Sequence, residues 1–423
     1  MSRGDPPVAG PRAVLASGIA LGVAMVAVFA FDRQHMLAAN FEVYQVTAEA
    51  VLAGDPMYEV APERFPNFYY LYPPVTVLGF LPFAATSLWV GFTLHTAMEL
   101  LVGLALAFVA IRWTERVRPL GRLDRLLVVG FVVGSVHTIP SMVYGQVNLR
   151  MALFVALGLF LLESGTRQPD GGTPRFHTFQ GLAGSGAGGG ALALAALYKV
   201  FPAAIGVYLL ALRDWRALAG ALATGLGGLA AGAVVFGRET TQAFFLEALL
   251  PRTDDDAFVG GLDPAAGYVT VRRPLSIAFP SVDPIVLTAL AAAVLVPPLV
   301  YCYTDLETPL DRLLAAHATV LAVFIFFPSY PLYFVVCFGT LVPVIYATRD
   351  RLARRLLVGG ALLANVVVFG RTLEDAAAVA PAWIGDPLLA IGMPVVTVAT
   401  PVLVGCLAMI AGCVVHRYRG GRS

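Results

Sequence analysis

The sequence is poor in charge, in lysine and in cysteine. Charged residues make up only 13% of its 423 residues, whereas soluble domains carry about 25%. The net charge of +1 excludes nucleic-acid binding through bulk electrostatics. The four cysteines show no CxxC spacing, which excludes a disulfide framework and a cysteine-based metal site. Lys199 is the one lysine, and the remaining strongly basic side chains are arginines.

Long apolar runs take the place of the missing charge. Hydrophobic residues are 58% of the chain, and its mean hydropathy is +0.78. The first run, residues 13–31, contains no charged residue and reaches the roughly 20 residues that a helix needs to cross a bilayer. Similar runs recur along the chain. The sequence therefore predicts an all-α, polytopic integral membrane protein of about 12–13 transmembrane helices, forming one domain over residues 1–423.

Arginine clusters predict how the chain is oriented in a cell membrane. They lie at 213–216, 349–355 and 417–422, and the positive-inside rule puts them, with residues 1–12, in the cytoplasm. Long outer loops are then expected at 32–73 and 237–283, with a shorter one at 371–386.

Two arrangements stay open for the segment that follows the first outer loop. A full crossing by residues 74–90 would put the arginine-rich stretch 112–125 outside. A re-entrant half-helix over 74–85 would put it inside. Both arrangements leave the two long loops outside.

The first outer loop contains a predicted amphipathic helix. Asn40 is a good N-cap residue, and Gly54 is well placed to end the helix. We expect this helix to lie in the membrane interface, with Glu42 at the outer headgroup boundary. One face would carry Phe41, Tyr44, Ala48, Val51 and Leu52, and the other Glu42, Gln45 and Glu49.

Several short motifs follow one another in a recognisable order. They are Asn40-Phe41-Glu42-Val43-Tyr44, Leu52-Ala53-Gly54-Asp55-Pro56-Met57-Tyr58, Tyr70-Leu71-Tyr72-Pro73-Pro74, Gly145-Gln146-Val147-Asn148, Lys199-Val200-Phe201-Pro202 and Ser329-Tyr330-Pro331-Leu332-Tyr333. In this order they resemble glycosyltransferase family 87, whose members use polyprenyl-phosphate-mannose. The resemblance covers about residues 13–350. The chain is similar, more distantly, to the mannosyltransferase of glycosylphosphatidylinositol synthesis.

The resemblance implies a GT-C-type fold and a hexose transfer on the outer face of the membrane. The donor would be a dolichyl- or polyprenyl-phosphate sugar, most simply mannose, and the acceptor a glycan on a lipid or a surface glycoprotein. No cofactor is expected, and metal dependence is left open. The motif residues expected at the substrate are Asn40, Tyr44, Tyr58, Tyr72, Gln146, Asn148, Lys199 and Tyr333.

The sequence departs from the family at the position of the expected base. The acidic residue of the family's first motif falls on Asn40, and an amide cannot take a proton from an acceptor hydroxyl. Glu42 is the nearest carboxylate and the preferred candidate base. Asp55 and Asp32 are its rivals. The histidine that the family often has near Leu332 is also absent.

The leaving phosphate of such a donor needs cations. Lys199 lies between two apolar runs, where a charge suggests function; it would hold the phosphate, pair with a carboxylate or snorkel to the surface. Arg272 and Arg273 would bind phosphate in a bidentate way or anchor the chain at the interface. The amides of Gln146 and Asn148 would bind the sugar or join two helices.

Other readings of the chain remain. The run Asp254-Asp255-Asp256 is interpreted as solvated charge, because consecutive acids point in different directions and make a poor metal site. A lipid-linked-sugar flippase or transporter would carry charges at mid-membrane and repeated halves; the sequence has Lys199 between two apolar runs and shows no repeat. A non-catalytic relative that binds lipid-linked sugar is the third reading, which Asn40 keeps open.

Overall fold

The computed structural model describes residues 8–165, 177–250 and 255–420, and within them the chain is helical. An isolated antiparallel bridge, Val269 with Ser329, is the one extended pairing in the described ranges. This confirms the predicted all-α class. The α-helices of the described residues are α1 (Ala9–Phe31), α2 (Ala39–Ala53), α3 (Leu88–Glu115), α4 (Arg122–Gly134), α5 (Thr138–Tyr144), α6 (Asn148–Gly165), α7 (His177–Tyr198), α8 (Gly206–Ala211), α9 (Trp215–Phe236), α10 (Arg238–Ala243), α11 (Arg272–Ala278), α12 (Pro284–Cys302), α13 (Pro309–Phe326), α14 (Phe338–Ala347), α15 (Arg351–Ala364), α16 (Gly370–Val379), α17 (Ala382–Val398) and α18 (Pro401–Gly420).

Six helices of the described residues are long and apolar enough to cross a membrane: α1, α3, α9, α12, α13 and α18. The pair α4 and α5, bent by 41°, would form a seventh span. Three shorter apolar helices, at 201–211, 331–347 and 382–398, account for further segments of the predicted count. Multiple membrane-spanning helices are thus confirmed, although several predicted crossings are short or broken.

The segment after the first long loop is one of the short ones. Residues 74–90 form two 3-10 helices, Pro74–Gly79 and Leu81–Phe83, before α3 begins at Leu88. Each is far shorter than the roughly 20 residues of a crossing. Of the two arrangements that the sequence left open, the structure therefore matches the half-crossing.

One end of the helix bundle gathers the arginine-rich turns, and we call it the N-terminal end. Arg12, in the first turn of α1, pairs with Asp124 of α4 at 2.8 Å, so the 112–125 stretch lies beside the start of the chain. Arg419 reaches Asp350 at 3.3 Å, which brings the end of α18 to the start of α15.

The opposite end, which we call the loop end, gathers the segments expected outside. Arg33 reaches Asp375 at 3.5 Å, and the backbone N–H of Ala38 donates to the carbonyl of Val143 at 2.8 Å. The two long loops also meet here, because Tyr58 of the first packs against Phe244 of the second, with ring centroids 6.4 Å apart.

Close helix packing in the middle of the chain depends on glycine. A Cβ at Gly189 of α7 would collide with the backbone of Ala217 in α9, and one at Gly220 of α9 would collide with the backbone of Gly186. Such small residues allow two membrane helices to approach at backbone distance. This packing fixes α7, and so places Lys199 just after its last turn.

Candidate functional site

Helix α2 forms one wall of the candidate site. It begins at Ala39, and its N-cap is Ala38, which has a left-handed φ of 65°. The prediction of Asn40 as N-cap is therefore wrong, because Ala38 turns the chain two residues earlier. The predicted stop is confirmed: Gly54 ends the helix with a φ of 85°, a conformation that glycine adopts at little cost.

Gln45 departs from the predicted division of α2 into two faces. It is buried, and its amide donates to the carbonyls of Phe83 at 3.2 Å and Thr86 at 2.7 Å. Glu49 is exposed, and Glu42 lies between these extremes. The helix is therefore enclosed on more than its apolar side, because the 3-10 turns after Pro74 pack against its polar face.

Tyrosines of the first loop form a hydrogen-bonded cluster against α2. The hydroxyls of Tyr44 and Tyr72 lie 2.9 Å apart, and the Tyr58 hydroxyl donates to the carbonyl of Tyr72 at 2.8 Å. The hydroxyls of Tyr70 and Thr76 are 2.6 Å apart. Burial raises the pKa of Tyr72 to about 12, so this phenol stays neutral and keeps its proton for hydrogen bonding.

A sharp turn between α5 and α6 carries the Gly-Gln-x-Asn motif to α2. Gly145 has a left-handed φ of 70°, and a Cβ added there would lie 2.5 Å from the Cβ of Phe41. Glycine satisfies both requirements, since it has no Cβ and tolerates positive φ. The contact sets Gln146 beside the first-loop cluster.

Three distant motif residues then meet around a buried ammonium group. Lys199 Nζ donates to Gln146 Oε1 at 3.1 Å and lies 3.5 Å from the centroid of the Tyr333 ring, which is cation–π geometry. Lys199 and Gln146 are each 8% exposed. The structure thus brings Tyr333 to two residues that lie more than a hundred positions before it in the sequence.

Tyr44 connects this lysine group to the first-loop cluster. Burial raises the pKa of Tyr44, and the neighbouring phenols of Tyr72 and Tyr333 raise it further. Tyr333 therefore lies near both Tyr44 and Lys199. The resulting set, Tyr44, Tyr72, Gln146, Lys199 and Tyr333, is the candidate site.

Asn148 adds an unsatisfied amide at the start of α6. Its side chain is fully buried, and neither amide atom has a hydrogen-bond partner within the described residues. Buried polar groups are normally hydrogen-bonded. An amide left in this state, two residues from Gln146, is suited to bind a polar ligand.

The carboxylates proposed as base do not contact the lysine group in the described structure. Glu42 pairs with Arg64 at 2.9 Å. It projects about 200° around α2 from Asn40, whereas Asn40 and Tyr44, four residues apart, share one side of the helix. Asp55 and Asp32 are exposed. The side of α2 that carries Tyr44 therefore has an amide where the family motif has an acid.

Arg272 and Arg273 lie in a different part of the loop end. Arg273 is fully buried and donates to the carbonyls of Tyr268 and Val396, each at 3.3 Å. The guanidinium of Arg272 lies 4.0 Å from the centroid of the Phe258 ring. The Arg273 bonds hold α11 to its own loop and to α17, and no contact in the described ranges joins either arginine to Lys199.

A buried charge cluster, which was not predicted from the sequence, lies beneath the tyrosines. Arg150 of α6 pairs with Glu99 of α3, and its Nη2 lies 3.2 Å from Nδ1 of His95. The His95 ring packs against Phe41 and Phe80, with centroids 5.2 and 6.2 Å apart. The sequence could have indicated this cluster, because Glu99 and Arg150 both lie inside predicted membrane spans, where a charged side chain usually has a function or a partner of opposite charge.

The described residues contain no group of three or more His, Cys, Asp or Glu side chains arranged to hold a metal ion. Asp254, part of the acidic run that the sequence presented, lies outside the described residues.

The fold defines a multi-span, all-helical membrane protein with a polar site at one end. The sequence model of glycosyltransferase family 87 matches residues 70–328, more than half of the chain. The protein therefore belongs to glycosyltransferase family 87, as the motifs predicted, and it is a membrane glycosyltransferase by family. The matched range includes Tyr72, Gln146 and Lys199 but neither Asn40 nor Tyr333.

A search of curated protein sequences finds no match. Among solved structures, the chain is similar to one titled crystal structure of ArnT from Cupriavidus metallidurans bound to undecaprenyl phosphate, with a TM-score of 0.43 and 16% identity. The alignment covers 94% of this chain and 76% of that one.

Proposed function

We propose that this protein transfers a hexose, mannose in the first instance, from a polyprenyl- or dolichyl-phosphate sugar to a glycan acceptor at the loop end. The observation that carries the proposal is the buried ammonium of Lys199, held between Gln146 and Tyr333. The donor class and the sugar come from the family resemblance. Arginine enrichment at the N-terminal end supports a cytoplasmic N-terminus and an outer-face site.

Lys199 suits a phosphate better than the other roles considered from the sequence. Its described partners are an amide and an aromatic ring, both neutral, and no carboxylate pairs with it in the described residues. It is too buried to snorkel into water. A buried cation without a counter-charge is costly, so a donor phosphate would bind there, and the ammonium would stabilise the negative charge that develops on the phosphate as it leaves.

We propose that the polar groups around the Lys199 ammonium bind the sugar of the donor. Gln146 and the unsatisfied Asn148 amide would bind sugar hydroxyls, and the phenols of Tyr44, Tyr58 and Tyr72 would shape the pocket from the first loop. Asn40 stands on the side of α2 that carries Tyr44. Arg272 and Arg273 would stabilise the conformation of the second loop, since the Arg273 guanidinium already donates hydrogen bonds to backbone carbonyls.

For the base, we retain Glu42 as the proposal, with Asp55 and Asp32 as alternatives. The Glu42 side chain is 14% exposed, so it is the least solvated of the three. Its ion pair with Arg64 would have to open for it to reach an acceptor. The position of Asn40 favours a second candidate function, a non-catalytic relative that binds lipid-linked sugar.

A transfer assay tests both candidates. Purified protein in lipid would receive radiolabelled polyprenyl-phosphate-mannose and a crude glycan pool, with wild type compared with K199M, E42Q and N40D. We expect K199M to lower transfer at least about 100-fold, the usual effect of losing one group that stabilises developing charge. E42Q should abolish transfer if Glu42 is the base.

The other results discriminate between the readings. If K199M transferred sugar as fast as wild type, the proposal that Lys199 binds the donor phosphate would be wrong. Full transfer by E42Q would keep the enzyme and move the base to Asp55 or Asp32. Donor binding without transfer by wild type, together with transfer by N40D, would establish the non-catalytic reading.

A further inference from the structure

A cavity lined by both charged and apolar side chains lies at the N-terminal end, away from the candidate site. It has a volume of about 490 Å³ and is lined by Leu162, Glu163 and residues 212–216. Glu163 fixes its position, because it binds Arg312 of α13 at 3.0 Å. The neighbouring Asp311 lies 3.5 Å from Arg417, close to the pair between Arg419 and Asp350 that marks this end. Ligand sites commonly occupy about 300–1,000 Å³.

Both acidic side chains of the cavity, Glu163 and Asp214, already accept hydrogen bonds from other parts of the protein. Both oxygens of Glu163 accept from Arg312 Nε, at 3.0 and 3.2 Å. Asp214 accepts from the backbone N–H of Ala217 at 3.0 Å and from the hydroxyl of Ser185. Arg213 and Arg216 are exposed and have no ion-pair partner within the described residues. Asp214 keeps its negative charge, since both of its hydrogen-bond donors are neutral, but the two arginines outnumber it and the balance of the cavity is positive.

The backbone presents Arg213 in a strained conformation. Its φ is 52°, and it occupies the position after the end of α8 where a left-handed glycine is usual. The Asp214 N–H donates to Leu209 O at 3.1 Å and the Arg213 N–H to Leu210 O at 3.0 Å, which is the Schellman pattern of bonds. Non-glycine residues held in this region cluster at functional sites.

Trp215 indicates that the turn meets the membrane surface. Its side chain follows Arg213 and Asp214 directly and is 65% exposed. Exposed tryptophans are enriched where lipid headgroups meet water. The cavity thus combines two unpaired guanidinium groups with an interface anchor.

We propose that this cavity binds a phosphate group through Arg213 and Arg216, either that of an anionic lipid headgroup or a free phosphate. Guanidinium groups bind phosphate oxygens in pairs of parallel hydrogen bonds. Anionic lipids concentrate at cytoplasmic surfaces and attract basic segments there. The site is separate from the one proposed for transfer, so the failure of either proposal leaves the other intact.

The test measures lipid binding rather than activity. Full-length protein in phosphatidylcholine nanodiscs would receive pyrene-labelled phosphatidylglycerol, with energy transfer from tryptophan as the signal and W215F to assign it. We expect R213G/R216A to weaken binding at least about tenfold, the loss of one to two charge-assisted hydrogen bonds. Because glycine relieves the left-handed strain, R213G should fold at least as well as wild type.

The matched control removes the same charge from the same end. R351A/R355A deletes two exposed arginines of α15 that do not line the cavity, and it should bind like wild type. Competition by unlabelled phosphatidylglycerol, and not by phosphatidylcholine or inorganic phosphate, would identify a lipid headgroup. Competition by inorganic phosphate that depends on Arg213 and Arg216 would identify free phosphate. Equal losses in both double variants, or none in R213G/R216A, would overturn the proposal.

Discussion

The pair formed by Glu99 and Arg150 places two charges inside the helix bundle. Glu99 is 2% exposed, and the aromatic rings of Phe41, Phe80 and Phe83 surround the adjacent His95. The pair joins α3 to α6 directly under the first-loop tyrosines. Its position explains how α3 and α6 hold the turn that carries Gln146.

We expect E99Q to destabilise the protein by about 3–5 kcal/mol, because the Arg150 guanidinium would remain buried without a counter-charge. Thermal unfolding in detergent, followed by circular dichroism, measures the loss. E115Q is the control: Glu115 pairs with Arg125 at 2.7 Å in an exposed position, where such a pair contributes about 1 kcal/mol or less. Equal losses in the two variants would refute a special role for the buried pair.

Individual residues of the site were partly predictable from the sequence. Gln146, Lys199 and Tyr333 stood in motifs and were expected at the substrate, but the order of the motifs did not predict that these three side chains would meet. Glu42 shows the limit of that reasoning. It is only two positions after Asn40 in the sequence, but its side chain projects from the opposite side of the helix. Glu99 was passed over because the apolar run around it concealed a single charge.

The contact between α2 and the turn before α6 organises the loop end. Gly145 meets Phe41 there, and Ala38 bonds to Val143. Neither contact could be read from the sequence, since each joins segments about a hundred residues apart. The end of α2 could be predicted from Gly54, but its start could not, because a left-handed alanine gives no compositional signal.

We expect G145A to cost about 2–4 kcal/mol, the sum of a left-handed alanine and a clash with Phe41. The same variant should lose donor binding, because Gln146 would move away from Lys199. G359A is the control: a Cβ there meets nothing within 4 Å, and alanine favours the helix that contains it. Unfolding and donor binding would be measured side by side, and an unchanged G145A would contradict the account.

The molecule as a whole is sorted into two ends of different chemistry. Arginine-rich turns gather with the start of α1, and the long loops gather at the other end. The sequence predicted this division from charge alone. It could not decide the path of residues 74–90, because proline-rich apolar segments are compatible with a crossing or a short 3-10 turn.

Cysteine labelling in intact cells tests the orientation of the two ends. The native cysteines are all buried, so single cysteines introduced at Glu49 and Arg355, both exposed, can be labelled without removing them. We expect a membrane-impermeant maleimide to label E49C directly and R355C only after permeabilisation, because arginine-rich ends stay in the cytoplasm. Labelling of R355C alone in intact cells would invert the topology and move the candidate site inside.

Lys199 has a consequence for how the protein responds to its ligand. Charging an amine that is enclosed by an amide and a ring is costly in the unliganded protein, and a bound anion offsets that cost. Binding and folding are then linked, and a ligand present at 100 times its dissociation constant would add about 2.7 kcal/mol to stability. The melting temperature can therefore identify the donor before its product is known, with K199M expected to show no such response.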